Sequence, residues 1–175
     1  MSTTTQPDGR LEQVGDRWRL RFVRRLSHPP EKVWRAITEF EHLEVWFPAN
    51  VHGDRAEGAA LHFVFRENEG PDMDGEVLVY EPPRVFEFTW GEDLLRFELE
   101  PDGEGTVLTF TDTIDEQGRA ARDGGGWHVC LAVLVAHLDG GDETQPPWRP
   151  VYEHYQEVFG PDASTIGPPE GHPEG

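Results

Sequence analysis

Between Arg17 and Leu26 the chain alternates. Trp18, Leu20 and Phe22 are interleaved with Arg17, Arg19 and Arg21, which is the period-two pattern of a strand with one wet face. The next stretch, SHPPEKVWRAITEFEHLEVWF, predicts two short helices. Ser27 or His28 precedes the prolines, and Pro30 suits a first helical turn. Val33, Trp34 and Ile37 form the first apolar face. Glu39 to Phe47 gives a second helix with Leu43, Trp46 and Phe47 inward, ended by Pro48. From about Ala59 the period is two again. Leu61, Phe63 and Phe65 alternate, as do Phe86, Phe88 and Trp90, and then Leu95, Phe97 and Leu99. GEVLVYE lies between the first two of these sets and reads as a strand ending at Pro82 and Pro83. PDGEG is a hairpin signal. Beyond it, Leu108 and Phe110 alternate, and Asp112 continues their face, which leaves it either pointing inward near the end of the cavity or lying past the sheet edge in water.

A different pattern follows in GGGWHVCLAVLVAHLDG, Gly124 to Gly140. Trp127, Leu131, Leu134 and Leu138 make one stripe at helical spacing, while Val129, Cys130, Val133 and Val135 spread apolar surface to other sides. A surface helix has one apolar stripe and a polar back, so this helix must be covered on several faces. GGDETQPP reads as a linker and WRPVYEHYQEVFG as a short last helix. The order is one strand, two short helices, about five antiparallel strands, then a long helix. Segregated strands and helices predict an α+β fold, with a curved antiparallel sheet of six to seven strands wrapped around the long C-terminal helix. The expected organisation is a flexible tail at 1–15, the domain at 16–140, a linker and short helix at 141–160, and a disordered tail at 161–175.

Composition narrows the function. The chain has 175 residues, enough for one domain with tails, and a formal net charge of −19. Such a chain is repelled by phosphate backbones and anionic lipid, which argues against nucleic acid as a partner. No apolar run approaches the ~20 residues of a membrane span, and the N-terminus has no apolar signal core. A cytoplasmic location is therefore expected. One cysteine, Cys130, allows no intrachain disulfide. Five of the fifteen basic residues fall between Arg17 and Arg25. They read as a solvated strand face paired with acidic neighbours such as Glu98 and Glu100, because no aromatic stacking platform accompanies them.

Three segments together resemble a known family. Pro30, Glu31, Val33 and Trp34 open its first helix; Leu43, Trp46 and Phe47 fit its second; Gly126 and Trp127 fit the opening of its long helix. In this order they resemble the START-like helix-grip superfamily, and within it the bacterial branch named after the activator of the heat-shock-protein-90 ATPase. The resemblance runs from about Trp18 to Leu138. It implies an internal cavity between sheet and long helix, where members bind lipids, sterols, polyketides or other apolar molecules and a few catalyse cyclisation, dehydration or hydrolysis. The eukaryotic co-chaperone uses a further N-terminal domain. Only about fifteen polar residues precede the first strand here, which argues against a chaperone partner.

A cavity in such a fold is lined by inward aromatics. Trp46, Phe65, Trp90, Phe97, Trp127 and Leu131 are the expected walls of a pocket of about 300–1,000 Å³ for a small hydrophobic or aromatic molecule. Enzyme chemistry would need an acid or base held in that space. His128, beside Trp127, and Asp112 are the candidates. His62 is expected to point outward, Arg96 to pair on the surface, and His137 to sit in the last turn of the long helix, where the dipole favours a cation. HExxH, CxxC and HxH are absent, so no metal site and no cofactor are expected. Binding of a small hydrophobic molecule ranks first. A cyclase, dehydratase or hydrolase in the same cavity is the alternative, a chaperone-associated module the third, and a homodimer is left open.

Overall fold

The computed structural model describes residues 8–66 and 70–167. Its elements are β1 (Arg10–Val14), β2 (Arg17–Leu26), α1 (Pro30–Thr38), α2 (Phe40–Trp46), β3 (Ala49–His52), β4 (Ala60–Phe65), β5 (Met73–Glu81), β6 (Val85–Trp90), β7 (Asp93–Asp102), β8 (Gly105–Ile114), α3 (Ala120–Asp139) and α4 (Trp148–Phe159). The strands form one antiparallel sheet in the order β1-β2-β8-β7-β6-β5-β4-β3. This is the α+β helix-grip architecture expected, with eight strands instead of six to seven. The two additional strands lie at the edges. β1 is short and polar, and β3 has only four residues, so neither carries a long alternating pattern.

One face of the sheet is aromatic. Leu20 and Phe22 on β2, Phe86 and Phe88 on β6, Phe97 on β7 and Phe110 on β8 are almost wholly buried. The period-two reading of these strands holds. A register shift between Val77 and Val79 turns Leu78 outward to 37 % exposure; such bulges bend a strand and increase its twist. α1 starts on Pro30 in its first turn, and α2 ends at Phe47, just ahead of Pro48, as the prolines require.

The arginine stripe on β2 is neutralised, but by other partners than Glu98 and Glu100. Arg19 and Arg21 both bond Glu12 of β1, Arg17 bonds Asp115, and Arg25 bonds Asp102. The reason is topological: β2 lies between β1 and β8, and Glu98 on β7 is taken by Arg96. Arg24 breaks the pattern, being 3 % exposed on the core face.

α3 is covered on two sides. Its Trp127 side meets the sheet and α2. Its Gly124–Gly125 side meets α4: a Cβ at Gly125 would lie 3.1 Å from Trp148 Nε1 and 3.2 Å from Tyr152 Cα. The two glycines therefore lie inside the helix rather than ahead of it, because only a bare backbone lets α4 come so close. The helix ends at Gly140 in the left-handed conformation (φ 72°), where Gly141 N–H bonds Ala136 O at 2.8 Å.

Two expected tails are corrected. Residues 10–14 pair with β2, since Leu11 and Glu12 find partners there, and Tyr155 holds Gly9 N–H. Residues 148–167 are part of the core: Trp148, Tyr152, Tyr155 and Ala163 are buried. The tyrosines and Trp148 cover the back of α3, which a linker-plus-appendage reading of 141–160 leaves bare. The remainder of both expected tails, 1–7 and 168–175, lies outside the described residues.

Candidate functional site

Five of the six expected walls meet through ring contacts between the sheet, α2 and α3. Phe65 contacts Trp90 with centroids 5.5 Å apart, Trp90 contacts Trp127 at 6.1 Å, and Trp46 contacts Phe97 at 6.0 Å. Phe47 joins these pairs, lying 5.5 Å from Trp46, 5.1 Å from Trp90 and 5.7 Å from Trp127. Phe110 packs 4.8 Å from both Phe97 and Trp127. Leu131 is fully buried one turn beyond Trp127. Most contacts are tilted or edge-on, the geometry aromatic quadrupoles prefer. Phe65 and Trp90 are half-buried and form the outer end of the cluster; Trp46, Phe97 and Trp127 are its interior.

The rings of these walls lie in contact with one another. Two clefts stand out, of about 480 and 970 Å³, and both lie elsewhere. The first runs between the α1–α2 junction and the β3–β4 loop, lined by Trp34, Phe40, Tyr80 and Arg55. The second lies against β1, β2 and the end of α4, lined by Leu11, Trp18, Val23 and Phe159. None of the six expected walls lines either.

Beneath the aromatic cluster lies a buried polar group. Asp112, 1 % exposed, accepts Trp127 Nε1–H at 2.8 Å through Oδ2. Among the described residues its Oδ1 has no N–H or hydroxyl to accept from. Asp93 and Asp123 are its neighbours; one carboxylate oxygen from each of the three acids lies within 4.8 Å of the others. Arg119 bonds Asp93 and Asp123, and Arg122 bonds Asp123 at 3.0 Å. Two guanidinium groups thus face three acids. Burial holds Asp112 well above the usual carboxylate range, with the charges of Asp93 and Asp123 adding to the effect. A proton on Asp112 balances the group and lets it hydrogen-bond Asp93.

The inward placement of Asp112 follows from its sequence phase with Leu108 and Phe110. Its partners were not legible that way. The Arg119–Asp123 spacing of four was the one local signal. Because those two guanidinium groups and Trp127 already serve the acids, the cluster is a closed electrostatic unit.

His128, next to Trp127 on α3, reaches α4. Its Nδ1 is 2.7 Å from the hydroxyl of Tyr155, which also accepts Gly9 N–H at 2.7 Å. Burial, then the nearby Arg24, holds the imidazole at about 4, so it is neutral at pH 7, and its Nδ1 can accept the tyrosine O–H. Asp112 and His128, the two acid/base candidates of the sequence, are thus tied to different partners, Trp127 and Tyr155. The remaining expectations fit: His62 is outward between Asp72 and Asp74, and Arg96 pairs with Glu87 and Glu98 on the surface.

Residues 27–139 match the family described as Activator of Hsp90 ATPase homolog 1-like protein. The chain belongs to this family. The solved structures agree on the fold of this family member. A conserved protein of unknown function from Enterococcus faecalis superposes with a TM-score of 0.73 at 18 % identity, covering 86 % of this chain and 90 % of that one. CalU16 from Micromonospora echinospora gives 0.71 at 22 % identity, covering 90 % and 96 %. A protein from Mesorhizobium loti gives 0.61 at 28 % identity, covering 71 % and 98 %. No curated protein matches this family member in sequence. Among the described residues, no helix is long and apolar enough to cross a membrane.

Proposed function

We propose that this protein binds a small apolar or aromatic molecule between the sheet and α3, reached from the end where Phe65 and Trp90 are half-buried. One observation carries the reading: an unbroken series of ring contacts runs from those two side chains to Trp127, deep inside. START-like folds generally hold their ligands in this layer. Phe65 and Trp90 are in contact, so a guest enters by parting them and replacing ring–ring contact with ring–ligand contact. Flat apolar ligands suit such a site, since they recover the tilted stacking that the rings give up. A neutral ligand suits it better than an anion, given the chain's charge of −19. A catalytic reading has less support, because Asp112 is tied to Trp127 and His128 to Tyr155.

Two measurements test this. Native mass spectrometry of the purified protein should reveal a co-purifying small molecule. The neutral dye N-phenylnaphthylamine should brighten on binding and receive energy from Trp46, Trp90 and Trp127. Phe65→Ala and Trp90→Ala should each weaken the dye by about tenfold, equivalent to about 1.4 kcal/mol, with the fold intact by circular dichroism. Undiminished dye binding in the folded double variant overturns the proposed site.

A further inference from the structure

β1 closes one end of the sheet. It pairs with β2 on one side, and among the described residues no strand lies on the other. The opposite end is guarded differently: β3 has four residues, and Arg55 holds its Val51 carbonyl at 3.0 Å. β1 carries no proline, lysine or register shift, devices that commonly keep an exposed edge from pairing.

The residues of β1 divide by face. Arg10 and Glu12 lie opposite Arg21 and Arg19 on the outer face, while Leu11 and Gln13 lie opposite Leu20 and Trp18 on the core face. Glu12 bonds both Arg19 and Arg21; Arg10 is exposed and has no ion pair among the described residues. Three of the four most exposed large apolar side chains border this edge. Val14 ends β1, and Val23 and Val158 line the cleft of about 970 Å³ beside it, with Leu11, Trp18 and Phe159. Charge singles out the same place. The chain has 34 acidic and 15 basic residues, yet Arg10 to Leu26 holds six basic and two acidic ones. Two copies of so acidic a chain repel each other least here.

We infer that β1 is a self-association edge: two copies pair β1 against β1, antiparallel, across a two-fold axis at Leu11, and so join their sheets. The register selects a second copy as the occupant. With Leu11 opposite the partner's Leu11, Arg10 stands opposite the partner's Glu12, and Glu12 opposite the partner's Arg10. An apolar pair on the core face thus lies between two opposite-charge pairs on the outer face, and one patch complements itself. Sliding the strands by two residues sets Arg10 against Arg10 or Glu12 against Glu12, so the charges also reject the neighbouring registers. The pairing satisfies the backbone groups of the open edge, and the apolar side chains of the cleft border the joint.

Sedimentation of the full chain over a micromolar-to-millimolar series should show a monomer–dimer equilibrium that salt weakens. Arg10→Glu sets like charges opposite each other twice per dimer and should weaken it about tenfold. Leu11→Cys, made together with Cys130→Ala, should oxidise to a covalent dimer, because Cβ atoms directly opposite lie about 4.5–5.5 Å apart. Gln13→Cys in the same background should not, its two copies lying about 14 Å apart along the strands. Circular dichroism checks that each variant is folded. The proposal is overturned if the chain stays monomeric into the millimolar range, if Arg10→Glu dimerises as the wild type does, or if Gln13→Cys cross-links as readily as Leu11→Cys. A monomer whose β1 amides shift with a poly-glutamate peptide would give the edge to an acidic strand instead and overturns it equally.

Discussion

Asp112→Ala is expected to lose about 2–4 kcal/mol of stability, while Asp112→Asn stays close to the wild type at neutral pH. The alanine leaves Trp127 Nε1–H buried without an acceptor, which costs about 1–3 kcal/mol, and opens a small void beside it. Asparagine keeps an oxygen for Trp127, and its amide can donate to Asp93 as the protonated acid does. The sign of the pH dependence follows from the raised position of Asp112. Between the ordinary carboxylate range and the raised native value, the folded chain holds a proton that the unfolded chain has released. Stability therefore falls as pH rises through that window, and the cost is complete above it. Asp93 and Asp123 are also raised, chiefly by burial, and add to the slope with the same sign. Asp112→Asn should flatten it, so the asparagine variant overtakes the wild type towards alkaline pH. Urea melts followed by tryptophan fluorescence across pH 5 to about 9 measure this. An asparagine variant as unstable as the alanine would mean that Asp112 is ionised in the fold.

The same residue marks the limit of what the pattern of the chain discloses. Alternation puts Asp112 in phase with Phe110, but only the length of β8, which runs on to Ile114, decides that it is buried and not past the sheet edge in water. The pattern says nothing of Arg119, Asp93 or Asp123, which arrive from another strand and a helix start. The apolar phase of strands and helices placed the six expected walls on inward faces, and five of them touch through rings. How closely those rings pack was not legible, because packing depends on volumes across elements. The edge strands were missed for a related reason: β1 and β3 are held by pairing with long neighbours, and short polar segments show no period of their own. The apolar excess of α3 signalled cover on several faces, expected from the sheet and the short helices, and part of that cover is α4.

Tyr155 is the peg of that layer, and replacing it should have the other large effect. Tyr155→Ala is expected to cost about 3–5 kcal/mol through the cavity left by a fully buried aromatic, and Tyr155→Phe about 2–4 kcal/mol through polarity alone. The phenylalanine keeps the ring contacts to Phe22 and Phe159, at 6.4 and 5.0 Å. It strips two buried groups of their partner, Gly9 N–H and His128 Nδ1, each worth about 1–3 kcal/mol. His128 adds a pH signature opposite to that of Asp112. Its imidazole is held at about 4, first by burial, below the ordinary histidine value. Between those two values the unfolded chain binds a proton that the folded chain refuses, so stability falls as pH drops from about 6.5 towards 4. His128→Gln should flatten this acid limb and leave the alkaline one. If hydroxyl, imidazole and N-terminal strand act as one network, the losses in Tyr155→Phe and His128→Gln will not add in the double variant. Strict additivity in a urea-melt cycle would mean that α4 is held by apolar contact alone.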